Sequence, residues 1–422
     1  MDVRTGSLPD IRIPAGLTMA GLASGLAVGL LLSETPWAPI LLSVTAPVGE
    51  LWLQALKMTI LPLVAGLLFT GIVEMAAVAR AGAMAIRTLA LFVAILAGGG
   101  VMAALVMPML LDMSPVPAQA VAALGGQAEP AGPVPGIADF LGSIIPENIF
   151  SAAAADAMLP VIVFIALFAL ASTRIAEPHR DLLASLFKSL AGAMLVVIGW
   201  ILKLAPVGVF ALGFGLAADS GAAAIGILAH YVLLVVTIGA IVLVCAYLVA
   251  VFAARQPLIR FARALLPAQA VAVSTQSSLA SLPAMLASCR KLDLGERSSE
   301  FVLPLAVALF RATSPAMNVA VAIYAAHLAG VELTVAAIAA GVLVASVTTF
   351  GTVSLPGTVS FLASVGPIAI AMGVPVEPLV LLLAVEMLPD IMRTLANVTM
   401  DVAVVGVVDR GEASLPATTA GS

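Results

Sequence analysis

Long apolar stretches alternate with short polar connections along nearly the whole chain. Runs of about 20 residues or more, enough to cross a bilayer as an α-helix, occupy 15–33, 42–74, 84–110, 141–171, 182–213 and 222–253. The pattern predicts one spanning helix for each of these six runs. Residues 112–140, between the third and fourth runs, are rich in proline, glycine and alanine, and this composition predicts an extracellular loop.

The second half of the chain contains two apolar segments with polar, proline-containing centres. Residues 264–289 include a run of hydroxyl side chains, and residues 336–370 repeat the pattern. Both contain the string Ser-Leu-Pro, at 281–283 and 354–356, and each precedes a long apolar run, at 299–328 and 375–408. Interrupted segments in corresponding positions of two halves indicate a transporter binding site. Proline-kinked helices whose hydroxyls bond their own backbone are the alternative.

Composition places the chain in the membrane. Of its 422 residues, 62% are hydrophobic and 10% are charged, whereas a soluble domain has about a quarter charged residues. The net charge of −5 and the lack of a clustered basic surface exclude a nucleic-acid partner. We therefore predict an all-α integral membrane protein in a lipid bilayer.

The basic residues predict the orientation. Lys and Arg are absent from residues 33–48, 112–150, 214–226, 326–334 and 364–380. By the positive-inside rule, the connections that carry the basic residues are cytoplasmic, as are both termini. The two interrupted segments then enter from opposite faces of a cell (inner) membrane, as re-entrant hairpins that form an inverted repeat.

The last apolar run contains a line of polar side chains. Residues at positions 386, 390, 393, 397 and 401 fall on one face of a helix; they are Glu386, Asp390, Arg393, Asn397 and Asp401. Charged groups at membrane depth cost several kcal/mol when they face lipid. A carboxylate and a guanidinium on one face suit the ammonium and carboxylate of an amino acid. A structural ion-pair network remains the alternative.

Four segments together resemble the dicarboxylate/amino acid:cation symporter family, the glutamate transporters. Residues 390–401 resemble that family's final-helix motif D-x-x-R-T-x-x-N-V-x-x-D, and residues 275–283 resemble its serine-rich first hairpin. Residues 56–64 and 203–210 are similar to its second and fifth helices. The resemblance covers nearly the whole chain.

The resemblance implies a specific architecture. It implies a glutamate-transporter-like fold of eight transmembrane helices plus two re-entrant helical hairpins, assembled as a homotrimer. The scaffold would comprise residues 1–83 (helices 1 and 2) and 112–213 (the extracellular loop with helices 4 and 5). The mobile transport domain would comprise helix 3 (84–111) and residues 214–422, and it would move as an elevator. The parts of that second region are helix 6, hairpin 1 (262–289), helix 7 (299–328), hairpin 2 (333–370) and helix 8 (375–408).

The resemblance also implies a binding site for an acidic amino acid. Asp390 would bind the substrate ammonium, Arg393 its side-chain carboxylate, and Asn397 with Ser278 its α-carboxylate. The remaining substrate-site residues are Thr394, Ser277, Gly357 and Thr313. We predict a transporter of aspartate or glutamate, not an enzyme, with no cofactor beyond a coupling sodium ion or proton. A C4-dicarboxylate or neutral amino acid symporter, an exchanger and an anion channel of the same fold are the alternatives.

The chain departs from the family in its seventh span. Where the family has Asn-Met-Asp-Gly-Thr, this chain has Phe310, Arg311, Ala312, Thr313 and Ser314. A carboxylate is lost and a guanidinium is gained. We hypothesise that Arg311, paired with Asp401, replaces bound sodium and weakens sodium coupling. Asn397 and Glu386 complete the expected cation-site residues, with Glu386 as a candidate proton carrier.

Overall fold

The computed structural model describes residues 15–33, 35–80, 82–115, 145–155, 157–221, 223–350 and 357–413. All secondary structure in these ranges is helical. Most of the predicted proline-rich loop (112–140), namely residues 116–140, and the second Ser-Leu-Pro string, 354–356, lie outside the described residues. The first eight helices within the described ranges are α1 (Ala15–Leu32), α2 (Trp37–Ala79), α3 (Ala83–Met113), α4 (Ile149–Ala154), α5 (Met158–Ser172), α6 (Glu177–Lys203), α7 (Ala205–Ser220) and α8 (Ala223–Leu248).

A π-helical turn, Val249–Ala253, continues α8. The helices that follow are α9 (Leu258–Thr275), α10 (Ser278–Lys291), α11 (Glu296–Leu309), α12 (Thr313–Leu328), α13 (Val335–Thr348), α14 (Gly357–Ala371), α15 (Glu377–Leu383) and α16 (Met387–Ala413).

Several helical stretches are both long and apolar enough to cross a bilayer. Six reach this length within the described residues: Trp37–Ala79, Ala83–Met113, Glu177–Lys203, Ile225–Ala253, Glu296–Leu328 and Met387–Glu412. Shorter apolar helices run over Ala20–Leu32, Met158–Ser172, Ala205–Ala218 and Val335–Thr348. The chain is a multi-pass membrane protein, as its apolar pattern predicts.

Proline divides one stretch that the sequence predicts as a single span. Residues 182–213 belong to two helices, α6 and α7, which meet at Leu204. Pro206 lacks the N–H that would continue the helical hydrogen bonds to Leu202. The helical hydrogen bonds are therefore interrupted here within the apolar stretch.

A second break lies between α11 and α12. Phe310 is extended, with φ −112° and ψ 104°. Pro315 cannot donate a hydrogen bond to the carbonyl of Arg311, and the N–H of Ser314 bonds that carbonyl instead, at 2.8 Å. The break exposes the N-terminus of α12 inside the protein, next to α16.

The helices pack in two groups. α1, α2, α5, α6 and α7 pack mainly with one another, while α3 and α8 to α16 form the second group, with α12 and α16 at its centre. Nearly every side chain of α12 is buried. α2, α5 and α7 contact the second group through α3, α8, α13, α14 and α15.

Three glycines let α1 approach α7 closely. A Cβ at Gly29 would lie 2.6 Å from the carbonyl oxygen of Phe214, and one at Gly25 would overlap the carbonyl oxygen of Phe210. Gly21 makes the same approach one turn earlier. Small residues at a spacing of four are typical of close helix contacts in membranes.

We expect Gly25→Ala to destabilise the protein because the obstructing atoms are backbone and the two helices must separate. Overpacking of this kind costs about 1–3 kcal/mol, so the midpoint of thermal unfolding in detergent should fall by several degrees. Gly98→Ala in α3 is the control, since no atom lies within 4 Å of a Cβ there. Equal midpoints for the two variants would contradict the close packing of α1 on α7.

Candidate functional site

The polar line predicted in the last apolar run is buried. Asp390, Arg393, Thr394 and Asn397 are each at most 9% exposed, and Asp401 is 1% exposed. All five lie on α16, whereas Glu386 lies in the turn just before it, since α16 begins at Met387. The carboxylate of Glu386 still faces the line, because Arg393 binds it.

The guanidinium of Arg393 is held by three groups. Its Nη2 donates to Glu386 Oε1 at 2.9 Å and its Nη1 donates to Asn318 Oδ1 at 3.0 Å. Its Nε lies 3.6 Å from Asp390 Oδ1. Two of the five N–H donors of a guanidinium are used in these hydrogen bonds and Nε faces Asp390, so among the described residues two N–H groups, one on each terminal nitrogen, are left for a ligand.

The carboxylate of Glu386 is itself oriented from a neighbouring helix. The hydroxyl of Tyr231 in α8 donates to Glu386 Oε2 at 2.7 Å. Tyr231 is fully buried, and its ring lies against that of Tyr324 in α12, with centroids 5.4 Å apart. Three helices therefore fix the position of the Arg393 side chain.

The side chain of Asn397 is oriented by the N-terminus of α12. Its Oδ1 accepts hydrogen bonds from the backbone N–H and the hydroxyl of Thr313, at 2.9 and 3.0 Å. Thr313 is the first residue of α12, where backbone N–H groups have no partner within the helix. Because Oδ1 faces these two donors, the Nδ2 of Asn397 is left to donate to an acceptor such as a carboxylate.

Asp390 and Thr394 lie one helical turn apart. The Thr394 hydroxyl donates to the backbone carbonyl of Asp390 at 3.0 Å. The Asp390 carboxylate lies 3.6 Å from the Nε of Arg393, and the charge of Arg311 also acts on it. A carboxylate in this position has lone pairs for a further cation, such as an ammonium.

The replaced motif of the seventh span forms the break before α12. The ring of Phe310 stacks on that of Phe92 in α3, with centroids 4.2 Å apart and planes within 6°. Ala312 is buried beside it. Phe310, at the position where the family's motif has asparagine, therefore makes a hydrophobic contact with α3 instead of presenting an amide.

The carboxylate of Asp401 is buried in an apolar part of α16. Among the described residues, no hydrogen-bond donor reaches either of its carboxylate oxygens. The expected ion pair with Arg311 is therefore wrong, and the carboxylate within the field of Arg311 is that of Asp390. An isolated carboxylate in an apolar interior must gain a counterion or a proton, so these orphaned oxygens fit a coupling cation.

The serine-rich segment forms the tip between two packed helices. Gln276 adopts the left-handed conformation, φ 51° and ψ 32°, and reverses the chain between α9 and α10. The Ser277 hydroxyl accepts a hydrogen bond from Ala280 N at 3.2 Å and caps α10, and Ser278 begins that helix, which packs against α16. Gly357 begins α14 and is the first described residue after a gap.

Sequence reasoning missed two residues of this site, Asn318 and Tyr231. Asn318 is an amide inside the apolar helix α12, and Ser314 Oγ, one turn away, accepts from its Nδ2 at 3.2 Å. A lone amide in an otherwise apolar buried helix was the available signal. Tyr231 gave no such signal, because a tyrosine in an apolar run is ordinary.

Comparison with known proteins places the chain in one family. Residues 16–411 match the model of the sodium:dicarboxylate symporter family. The chain is 28% identical over 402 residues to the proton/sodium-glutamate symport protein of Bacillus subtilis, with 92% of this chain and 91% of the relative covered. It is 27% identical to the proton/glutamate-aspartate symporter of Escherichia coli, with 88% and 86% covered. The chain belongs to the sodium:dicarboxylate symporter family, and it is a transporter rather than an enzyme.

Proposed function

We propose that the chain is a secondary transporter of acidic amino acids, aspartate or glutamate. The observation that carries this proposal is the buried guanidinium of Arg393, which is hydrogen-bonded to Glu386 and Asn318 and lies one helical turn from Asp390. A guanidinium with two N–H groups left by the described residues suits a side-chain carboxylate, and Asp390 suits the ammonium. Relatives named as glutamate and glutamate-aspartate symporters support the same substrate class.

The α-carboxylate of the substrate binds the Nδ2 of Asn397 and the N-terminal turn of α10 at Ser278. Free N–H groups and the dipole of a helix N-terminus favour an anion, and Asn397 has one donor directed away from Thr313. The other residues proposed to line the substrate site are Ser277, Thr313, Thr394 and Gly357. Each functional group of an acidic amino acid then has an oppositely charged or hydrogen-bonding partner.

Two other substrate classes fit less well. A C4-dicarboxylate without an amino group presents nothing positive to Asp390, and a neutral amino acid leaves Arg393 without its carboxylate. Burial of a charge without its partner costs several kcal/mol. Exchange or an anion conductance on the same fold uses this site as well, and only flux measurements separate those modes from symport.

Substrate crosses the membrane by an elevator movement of the second packing group along the first. Eight spanning helices and two hairpins, α9–α10 and α13–α14, form each subunit of a homotrimer in the inner membrane, with both termini in the cytoplasm. Membership of the family supports this arrangement. The exposed ion pair of Lys57 in α2 with Glu377 in α15 joins the two groups, and such exposed pairs contribute little stability, so it breaks readily during movement.

Sodium coupling is weakened by Arg311. A fixed guanidinium in the field of Asp390 supplies Coulomb stabilisation that a bound ion would otherwise supply, and a tethered charge does not dissociate with a gradient. Asp401 remains as the carboxylate for a coupling cation, either sodium or a proton. Glu386 is the second candidate for the proton, although its carboxylate is bound to Arg393 and Tyr231.

Uptake into proteoliposomes tests the substrate and the coupling together. We expect saturable accumulation of labelled L-aspartate under an inward proton gradient, competition by L-glutamate, and weak competition by succinate and L-alanine. Ionophore-treated vesicles are the control for gradient-driven accumulation. Preferential uptake of succinate or alanine would overturn the substrate assignment, and uptake that collapses without a sodium gradient would overturn the weakened sodium coupling.

A further inference from the structure

A basic cleft lies at the base of the α9–α10 hairpin, at the end opposite to the serine tip. The cleft has a volume of about 500 Å³ and is open to the surface. Its lining residues are Pro257, Ile259, Arg260, Arg263, Ala264 and Lys291. They come from the residue before α9, the first two turns of α9 and the last residue of α10, so the cleft spans both arms of the hairpin.

The floor of the cleft is braced by hydrogen bonds between the two arms. The Ser288 hydroxyl in α10 donates to the carbonyl of Ala264 at 2.8 Å. Arg260 Nη2 donates to the carbonyl of Lys291 at 3.0 Å and forms an ion pair with Asp293. The cleft is therefore a formed feature of the hairpin base.

The positive charges of the cleft are only partly balanced. Asp293 is engaged by Arg260, and among the described residues no carboxylate forms an ion pair with Arg263 or Lys291. Like charges on opposite arms of a hairpin repel each other across the cleft. An anion bound between them removes this repulsion and links the arms.

The surroundings of the cleft suit a lipid. Leu258 and Ile259 are 53% and 66% exposed, and Phe252, in the π-helical turn before α9, is 73% exposed. In a membrane protein such side chains face acyl chains. The cleft also belongs to the face predicted to be cytoplasmic, where basic pockets at the membrane surface bind anionic headgroups.

We propose that this cleft binds the phosphate headgroup of an anionic phospholipid, which bridges Arg263 in α9 and Lys291 in α10. The acyl chains lie along Ile259 and the neighbouring apolar side chains. The bridge holds the two arms of the hairpin together at its base. The proposal does not rest on the transported substrate, since a lipid occupies this cleft whatever binds at α16.

Native mass spectrometry of the purified full-length protein tests the proposal. We expect phosphatidylglycerol to be retained in preference to phosphatidylcholine. The double variant Arg263→Gln, Lys291→Gln should lose affinity for phosphatidylglycerol by roughly tenfold or more, as the loss of two basic contacts predicts. The matched control removes two exposed basic residues in the turns after α2 and α5, Arg80→Gln with Arg174→Gln, and should retain the lipid.

Two further measurements distinguish lipid binding from a soluble-anion site and from a loss of structure. The variant Arg263→Lys, Lys291→Arg keeps both charges and should retain phosphatidylglycerol, which shows that the hairpin base tolerates substitution. Inorganic phosphate should fail to displace the lipid, and full displacement would mean a soluble-anion site. Equal retention of both lipids by the wild-type protein, or equal loss in the control variant, would overturn the proposal.

Discussion

Replacing Arg393 by glutamine lowers the affinity for L-aspartate at least about 30-fold. Removal of one partner of a buried, hydrogen-bonded charge pair costs about 2–5 kcal/mol, and each 1.4 kcal/mol is about a tenfold change in affinity. The substitution removes the positive charge proposed to bind the side-chain carboxylate. Isothermal titration of the purified protein measures the change.

The matched control for this prediction lies on the same helix. Arg410, near the end of α16, donates to the carbonyl of Ala253 at a surface-exposed site, and Arg410→Gln should leave aspartate affinity unchanged. Unchanged aspartate affinity in Arg393→Gln would contradict the site.

A second variant guards against misfolding. Arg393→Gln leaves the carboxylate of Glu386 buried with only Tyr231 as a partner, so the protein is expected to lose stability. Adding Glu386→Gln removes that charge and should restore thermal stability while aspartate affinity stays low. The ratio of affinities for L-serine and L-aspartate should then rise, because a neutral amino acid has no carboxylate that needs the guanidinium.

The polar line of α16 was predictable because its members are close in sequence. A helical spacing of three, four and seven residues places Asp390, Arg393 and Asn397 on one face whatever the rest of the fold does. The helix break before α12 was not predicted, since residues 299–328 were expected to form one long apolar helix, and the structure interrupts it at Phe310. The two interrupted segments also gave a clear pattern, although part of the second lies outside the described residues.

The contacts between helices were not predictable in the same way. Asn318 and Tyr231 are 75 and 155 residues from their partners, and a single sequence contains no spacing rule that links them. The pairing of Arg311 with Asp401 was wrong for the same reason. Two charges on different helices can pair only when the packing brings them together, and no hydrogen-bond donor of the described residues reaches the carboxylate oxygens of Asp401.

The charges of the site account for the need for a coupling ion. The carboxylates of Glu386 and Asp390 balance the guanidiniums of Arg311 and Arg393 in formal charge. Asp401 and an acidic amino acid then add one negative charge each, and this excess is costly in a low-dielectric interior. A cation or proton at Asp401 offsets part of it, so co-transport of positive charge follows from the electrostatics of substrate binding.

The same charges predict that sodium dependence increases when the family motif is restored at two positions. The double variant Arg311→Met, Ala312→Asp makes the site more negative by two charges, so substrate binding requires more bound cations. We expect it to bind L-aspartate at least about tenfold more tightly in sodium chloride than in choline chloride of equal ionic strength, a difference of about 1.4 kcal/mol. Calorimetric titration in the two salts measures this ratio, which should be clearly smaller for the wild-type protein.

The variant Arg311→Lys tests whether the fixed charge is the cause. It keeps a positive charge in the break before α12, so its sodium dependence should match that of the wild-type protein, while loss of the charge alone in Arg311→Met should give an intermediate dependence. A graded response across the three variants ties sodium dependence to the number of fixed charges rather than to side-chain shape. A wild-type protein that binds aspartate only in sodium would show that Arg311 does not replace a bound ion, because a tethered cation acts equally in both salts.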